Sequence, residues 1–466
     1  MVTYGGVILS GGLVSSFLVL GLIGCQVRKF GDGGKSLTKS ENSVVPAHFD
    51  VNDVSFLFPL PKSPQELGGL LQVSQISNDG LSLLSEKIFN DVVEKFKAVN
   101  LSFETSSKTF QAPHVAIAAQ YSFWRITALR FDPCANSKTH SQLKASDLTQ
   151  QCLFEIRLIA QPVSNVYQTR KDIAGLPPDP TLVRPFRAED FALHLIYVVP
   201  NQQRQQVLTD LTSELRRIQE SSQNGTQGKP LGIHPTMAAQ GIGSDGTYAK
   251  SIRELILKFT GGHTLSGIAM AQGNTEQLHW RFAAVGVDPD TQSVKDLISI
   301  PEIPEDVEKV ANLQNCCSLS PSLTNPAPNM ESFLNVFKEK VDSQILKDKI
   351  ASAKSVEAQL RTGIQTALDL ENPEKFSQFE KNCFSCHLAT PLKLMSQKVL
   401  EAKWEDFSRF QVPENTTGEP DSSSINAVKW SIRNFGYLGQ NPVVSQRTIN
   451  ESAVVANLLT KIANGQ

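Results

Sequence analysis

Five consecutive residues near the C-terminus, Cys383-Phe384-Ser385-Cys386-His387, carry the most specific chemistry in the chain. Two thiols separated by two residues reach both vinyl groups of one porphyrin, and the adjacent imidazole is then held against the iron as its proximal ligand. The C-x-x-C-H spacing therefore reads as attachment of one haem c, with Cys383 and Cys386 as thioether donors and His387 on the metal. The competing reading of the same thiols is a CxxC disulfide or half of a zinc site. Chance placement of the full pattern comes out on the order of 0.2% from composition alone, which favours the haem reading.

The distal side of such a haem has no obvious ligand. Met395 is the only methionine after His387, it stands just eight residues on, and no histidine follows. The segment Gln411–Arg447 therefore contains no conventional strong sixth ligand. Four possibilities stay open: Met395 through an unusual fold-back, a ligand from the N-terminal region, a weak ligand such as Lys429 or Tyr437, or an open site. An open iron permits small-ligand or peroxide chemistry as well as electron transfer. Trp404, Phe407, Phe410, Trp430, Phe435 and Tyr437 are candidates to wall the macrocycle, with core packing the competing role for each.

Haem attachment of this kind belongs outside the cytosol, and the N-terminus agrees. The first 24 residues carry no charged side chain, and Val7 to Ile23 is apolar or small. Leu22-Ile23-Gly24-Cys25 resembles a bacterial lipobox, which implies cleavage before Cys25 and its lipidation. Gln26 after the cysteine, by the sorting habit of such lipoproteins, implies the periplasmic face of the outer membrane. The n-region lacks Lys and Arg, which leaves a different start or a retained single-span anchor as alternatives. Residues 26–46, rich in Gly, Ser, Lys and Asn, read as a flexible tether. In an oxidising compartment Cys134 and Cys152 are expected to pair across the polar stretch Ala135–Gln151, stapling the base of a hairpin. Cys316 and Cys317 are adjacent, and neighbouring cysteines rarely pair without strain.

The elements that must position these residues follow from periodicity. Strands are expected at Tyr121–Phe131, Leu153–Ala160, Phe191–Val199, Thr264–Ala271 and Leu278–Val285. Leu81, Leu84, Ile88, Val92 and Phe96 keep helical spacing, as do Val207 to Ile218 and Ile252 to Phe259. Residues 47–314 thus predict an α+β domain with a mainly antiparallel sheet. A composition break at 315–330, rich in Ser, Pro and Asn, reads as a linker, and 331–466 as a mainly α C-terminal domain. There Phe333 to Ile345 begins a helical stretch reaching about Leu370, Asn372-Pro373 caps a short helix leading to Cys383, and Thr448 to Glu451 forms a capping box before the stripe Val455, Leu458, Leu459 and Ile462.

Phe379-Glu380-Lys381-Asn382-Cys383-Phe384-Ser385-Cys386-His387 is similar to the start of class I cytochrome c domains, in which an aromatic lies four residues before the first haem cysteine. The helix from Ile449 resembles the closing helix of that family, so the likeness covers roughly 372–466. It implies that Pro391 supplies the carbonyl orienting the His387 imidazole. The missing late methionine is a departure from the family pattern and leaves the redox range open. Asp132-Pro133-Cys134 and Arg157-Leu158-Ile159-Ala160-Gln161-Pro162 also resemble segments of uncharacterised bacterial lipoproteins, which carries no activity.

Other signals are weaker. Gly241-Ile242-Gly243-Ser244-Asp245-Gly246 matches G-x-G-x-x-G, but no apolar strand leads into it, so a glycine-rich turn suffices. The remaining histidines show no metal-ligand spacing. A net charge of -2 argues against a dedicated nucleic-acid binder. The expectation is an extracytoplasmic, lipid-anchored haem protein that passes electrons to a redox partner, an electron carrier rather than an enzyme. Its rivals are a ligand-binding or peroxidatic haem centre and a non-haem scaffold lipoprotein with a CxxC disulfide.

Overall fold

The computed structural model describes residues 47–97, 117–137, 142–143, 148, 152–165, 185–189, 191–220, 226–243, 246–274, 279–298, 348, 351–377, 389–390, 393, 400–410 and 434–465. All of these lie in one compact unit, Pro46–Gln466. The expected segments 1–25, 26–46 and 315–330 fall outside the described residues.

Alternation of branched and aromatic residues builds an antiparallel sheet from β1 (Ser55–Leu57), β2 (Trp124–Asp132), β3 (Glu155–Ser164), β4 (Arg187–Ala188), β5 (Phe191–Val198), β6 (Leu265–Asn274), β7 (His279–Asp288) and β8 (Ser293–Leu297). Its order is β1-β2-β3-β5-β6-β7-β8, with β4 pairing β3, so chain neighbours pair along the sheet except where the short β4 stands off the path and β3 pairs β5. The α+β class with a mainly antiparallel sheet is thereby established. All nine residues of β2 are buried, whereas β5 alternates along its second half; the sheet is covered on both faces at β2 and half-covered at β5.

Helices α1 (Val51–Val54), α2 (Pro64–Leu67), α3 (Glu86–Lys97), α4 (Arg204–Glu220), α5 (Pro235–Gln240) and α6 (Thr247–Phe259) precede β6 in the chain. In α3 the buried set Ile88, Phe89, Val92 and Phe96 follows helical spacing, and burial of each such side chain contributes about 1.5–3 kcal/mol. Asp50 and Asp53 form a capping box that starts α1.

The C-terminal region departs from the expected separate helical module. Among its described residues are α7 (Lys354–Glu371), a two-stranded sheet of β9 (Phe435–Leu438) and β10 (Asn441–Val444), and α8 (Gln446–Ala463). Phe435, Tyr437, Val444, Ile449, Ala453, Val455 and Leu458 belong to the same core as Trp124, Ile126 and Phe131 of β2. Twelve of the eighteen α8 residues are buried, so this helix lies between two layers rather than closing one side of a small domain. The apolar stripe read from sequence supplies only one of its buried faces; the other is sealed by buried polar groups, which hydropathy cannot detect.

Two boundaries also shift. Ser445 is the N-cap of α8, its hydroxyl accepting from the Thr448 N–H at 3.2 Å, so the helix begins before the expected Thr448. Glu451, expected to close a capping box, instead pairs with arginines. Asn372 is the C-cap of α7, and 372–377 is a turn in which the Asn372 carboxamide oxygen accepts from the Glu374 N–H at 2.8 Å.

Candidate functional site

Cys383, Cys386 and His387 lie outside the described residues, as do Cys25, Cys316, Cys317, Pro391, Met395 and Lys429. The residues on either side of the C-x-x-C-H segment are described, and they converge on the first turns of α8. Before the segment, Arg447 donates from Nη1 to the Leu370 carbonyl at 3.0 Å and from Nη2 to the Phe376 carbonyl at 2.7 Å. Asn450 Nδ2 donates to the Glu371 carbonyl at 2.9 Å, satisfying an end of α7 that would otherwise leave open carbonyls. After the segment, Thr390 Oγ1 donates to Glu371 Oε1 at 2.6 Å and accepts from the Gln446 N–H at 3.2 Å, while Lys393 forms a buried ion pair with Glu371 Oε2.

A second network ties these turns to the sheet. Glu451 receives Arg447 Nε at 2.6 Å on one oxygen and Arg130 of β2 on the other. Arg130 reaches Asp132 at 3.1 Å, and Asp132 accepts from the Cys134 N–H at 3.0 Å. Burial alone would raise the Glu451 carboxyl, but Arg130 and Arg447 overcome it and hold the group below the usual carboxylate range. Taking these charges out of water costs several kcal/mol per ion, which the multiple charge-assisted contacts offset.

Cys134 and Cys152 are joined in a disulfide at the end of the β2–β3 pairing, where Asp132 faces Glu155. Reading the sequence for catalysis missed Glu371, Arg447 and Glu451. Arg447 and Glu451 stand i,i+4 among Gln446, Thr448, Asn450 and Ser452, which reads as an ordinary surface pair, so the sequence carried no signal of their burial.

Several candidates prove to be engaged elsewhere. Tyr437 is fully buried and its hydroxyl donates to the Phe58 carbonyl at 2.7 Å, so this group serves the core rather than an iron. Phe435 likewise lies in the core and not in a separate haem wall. His234 is buried between Phe56 and Tyr248, ring centroids 5.4 and 4.6 Å away, and its Nε2 faces the Tyr248 hydroxyl at 3.0 Å. Burial pushes its pKa down to about 3, so the ring stays neutral. His263 is exposed, its backbone N–H donating to Asp79 at 3.0 Å, and His194 is half-buried within β5. Gly241 ends α5 at φ 79° and Gly246 precedes α6, so the glycine motif joins two helices rather than a strand and a helix. A Cβ on Gly246 would stand 2.3 Å from the Gly241 carbonyl oxygen, which explains that glycine without a phosphate.

Among the described residues no group of three His, Cys, Asp or Glu side chains is arranged to hold a metal ion. Among the same residues no helix is long and apolar enough to cross a membrane. No family model matches the chain, and neither a curated protein nor a solved structure shows significant similarity to it.

Proposed function

We propose that this chain is an envelope lipoprotein that carries one covalently attached haem c at Cys383 and Cys386, with His387 as the proximal ligand, and that it transfers electrons. The observation that carries this reading is the C-x-x-C-H pentad in a chain that opens on an uncharged apolar segment ending at Cys25. The donor set fits the group chemically: two thiols bond the porphyrin's vinyl carbons, and a neutral imidazole suits iron. Bound there, haem would supply a one-electron redox centre. The chain's own part is to hold the attachment segment at both ends, through Arg447 before it and Glu371 after it. The resemblance to class I cytochrome c is confined to this motif and the last helix, because α8 also packs on β2.

Lipidation at Cys25 and residence on the periplasmic face of the outer membrane complete the proposal. A redox partner protein of unspecified identity receives or delivers the electron. The open distal site is kept as the second reading, because the Tyr437 hydroxyl is committed to Phe58 and His234 to Tyr248. The test is production in a host with cytochrome c maturation. A denaturation-resistant mass increase of one haem, with a pyridine haemochrome spectrum, is expected; an unmodified mass refutes the proposal. A ferric spectrum that changes on cyanide addition selects the open site, and an insensitive low-spin spectrum selects a sixth protein ligand.

A further inference from the structure

We infer that the Cys134–Cys152 disulfide is a redox-dependent latch for the docking of α8 on the sheet, acting through Asp132 and Arg130 on Glu451. The latch does not depend on the haem reading, because every group in it belongs to β2, to α8 or to the turn beside the bond. Asp132 is the last residue of β2, and Cys134 follows two residues on. The Cys134 N–H donates to Asp132 Oδ1 at 3.0 Å, so the residue held by the bond also aims the carboxylate. Asp132 Oδ2 takes Arg130 Nη2 at 3.1 Å, and the other terminal nitrogen of Arg130 reaches Glu451 Oε2 on α8.

The side chains of Asp132, Arg130 and Glu451 are at most 10% exposed. Arg130 and Arg447 bring two positive charges to this relay, and Asp132 and Glu451 bring two negative ones. Displacing one carboxylate leaves a buried guanidinium short of its partner, which is strongly destabilising. The penalty falls on the contact between α8 and β2, since Glu451 stands on one and Arg130 on the other.

Reduction by a dithiol breaks the sulfur–sulfur bond: two electrons and two protons turn the cystine into two thiols, and the dithiol becomes a disulfide. The turn then keeps the Ala135 N–H on the Leu153 carbonyl at 2.9 Å but loses its covalent tie, and Asp132 is held less firmly. Cys134 and Cys152 are 2% and 1% exposed, so a dithiol reaches them when the turn opens. The bond keeps α8 in place and docked α8 keeps the bond oxidised, because coupling between two equilibria is reciprocal. A cross-link that acted on the unfolded chain alone would stabilise every element alike.

The experiment uses the full chain with the disulfide formed, the Cys134→Ala, Cys152→Ala variant, Asp132→Asn, and all three changes together. Amide exchange at residues 450–456 of α8 is compared with that of β6 and β7. Removing the cysteines is expected to speed α8 exchange about tenfold beyond any change in β6 and β7, and Asp132→Asn to do the same with the disulfide intact. The triple variant is expected to be no faster at α8 than the faster of the two, because both changes break one relay. An α8 change no larger than that in β6 and β7, or effects that multiply in the triple variant, overturn the inference. If the cysteine-free chain does not fold, reduction of the native bond decides. Glu451→Gln and Leu211→Ala, a core change in α4, are brought to equal stability with urea and treated with dithiothreitol, and the Cys134 and Cys152 thiols are counted by alkylation and peptide mass. Glu451→Gln is expected to be reduced about tenfold faster, and equal rates overturn the inference.

Discussion

The carboxamide of Gln161 takes the place of a neighbouring strand for Tyr437: Oε1 accepts the Tyr437 N–H at 2.8 Å and Nε2 donates to the Tyr437 carbonyl at 2.9 Å. Two residues on, Gly439 exchanges both backbone bonds with Ala188 of β4, so the Tyr437 groups face the same edge, and there a side chain from β3 satisfies them. Replacing Gln161 by Leu leaves two buried backbone groups without these partners. The expected cost is about 2–4 kcal/mol, measured as a lowered denaturant midpoint at unchanged slope.

Tyr437→Phe separates the core role from an iron-ligand role. Loss of the bond to the Phe58 carbonyl is expected to cost about 1 kcal/mol. The haem spectrum of the loaded protein is expected to stay as in wild type, and a change in its low-spin bands would contradict this assignment of the hydroxyl.

The Arg130–Glu451–Arg447 network is expected to behave as a unit. Glu451→Gln leaves two arginines buried against a neutral group and is expected to cost about 3–5 kcal/mol. Adding Arg130→Met to Glu451→Gln should recover part of that loss, and a double-mutant cycle by urea unfolding measures it. The Glu451 carboxyl is held below its usual range, so its contribution is present above the unfolded value of 4.5 and is lost as pH falls through the lowered folded value.

Two other buried groups act in opposite directions on acid stability. Burial raises Asp53 to about 6, so the folded protein binds its proton more tightly than the unfolded chain; that contribution is present below 3.8 and lost as pH rises to about 6. Burial lowers His234 to about 3, so its contribution is present above 6.5 and lost as pH falls toward 3. Between 3.8 and about 6 the two slopes oppose each other, each worth about 1.4 kcal/mol per pH unit. Asp53→Asn is therefore expected to make stability rise more steeply with pH in that window, and His234→Phe to make it fall. Urea midpoints at stepped pH provide the check; identical profiles for all three proteins would refute it.

Reduction of the Cys134–Cys152 bond removes a cross-link spanning 18 residues in sequence. The expected loss is ~3 kcal/mol in the chain-entropy description, seen as a lower Tm for the Cys134→Ala, Cys152→Ala double variant. Because Asp132 accepts from the backbone N–H of residue 134, loosening that turn in the same variant should also speed exchange of that amide.

Local pattern made much of this protein legible. Runs rich in branched and aromatic residues located β2, β3, β5, β6 and β7 to within a few residues, because such side chains suit a buried sheet, and helical spacing located α3, α4 and α6, because burial of one helix face imposes that period on the sequence. The C-x-x-C-H pentad lies outside the described residues, so its reading rests on spacing along the chain alone. Tertiary structure alone decided that α8 and the β9–β10 pair share a core with β2 despite the Pro- and Ser-rich stretch before them. It also decided that Gln161 serves Tyr437, 276 residues away, that Glu371 meets Thr390 and Lys393, and that Arg447 meets the carbonyls of Leu370 and Phe376. A buried polar side chain obeys no hydropathy period. Its place is set by the partner that satisfies it, and that partner can be anywhere along the chain.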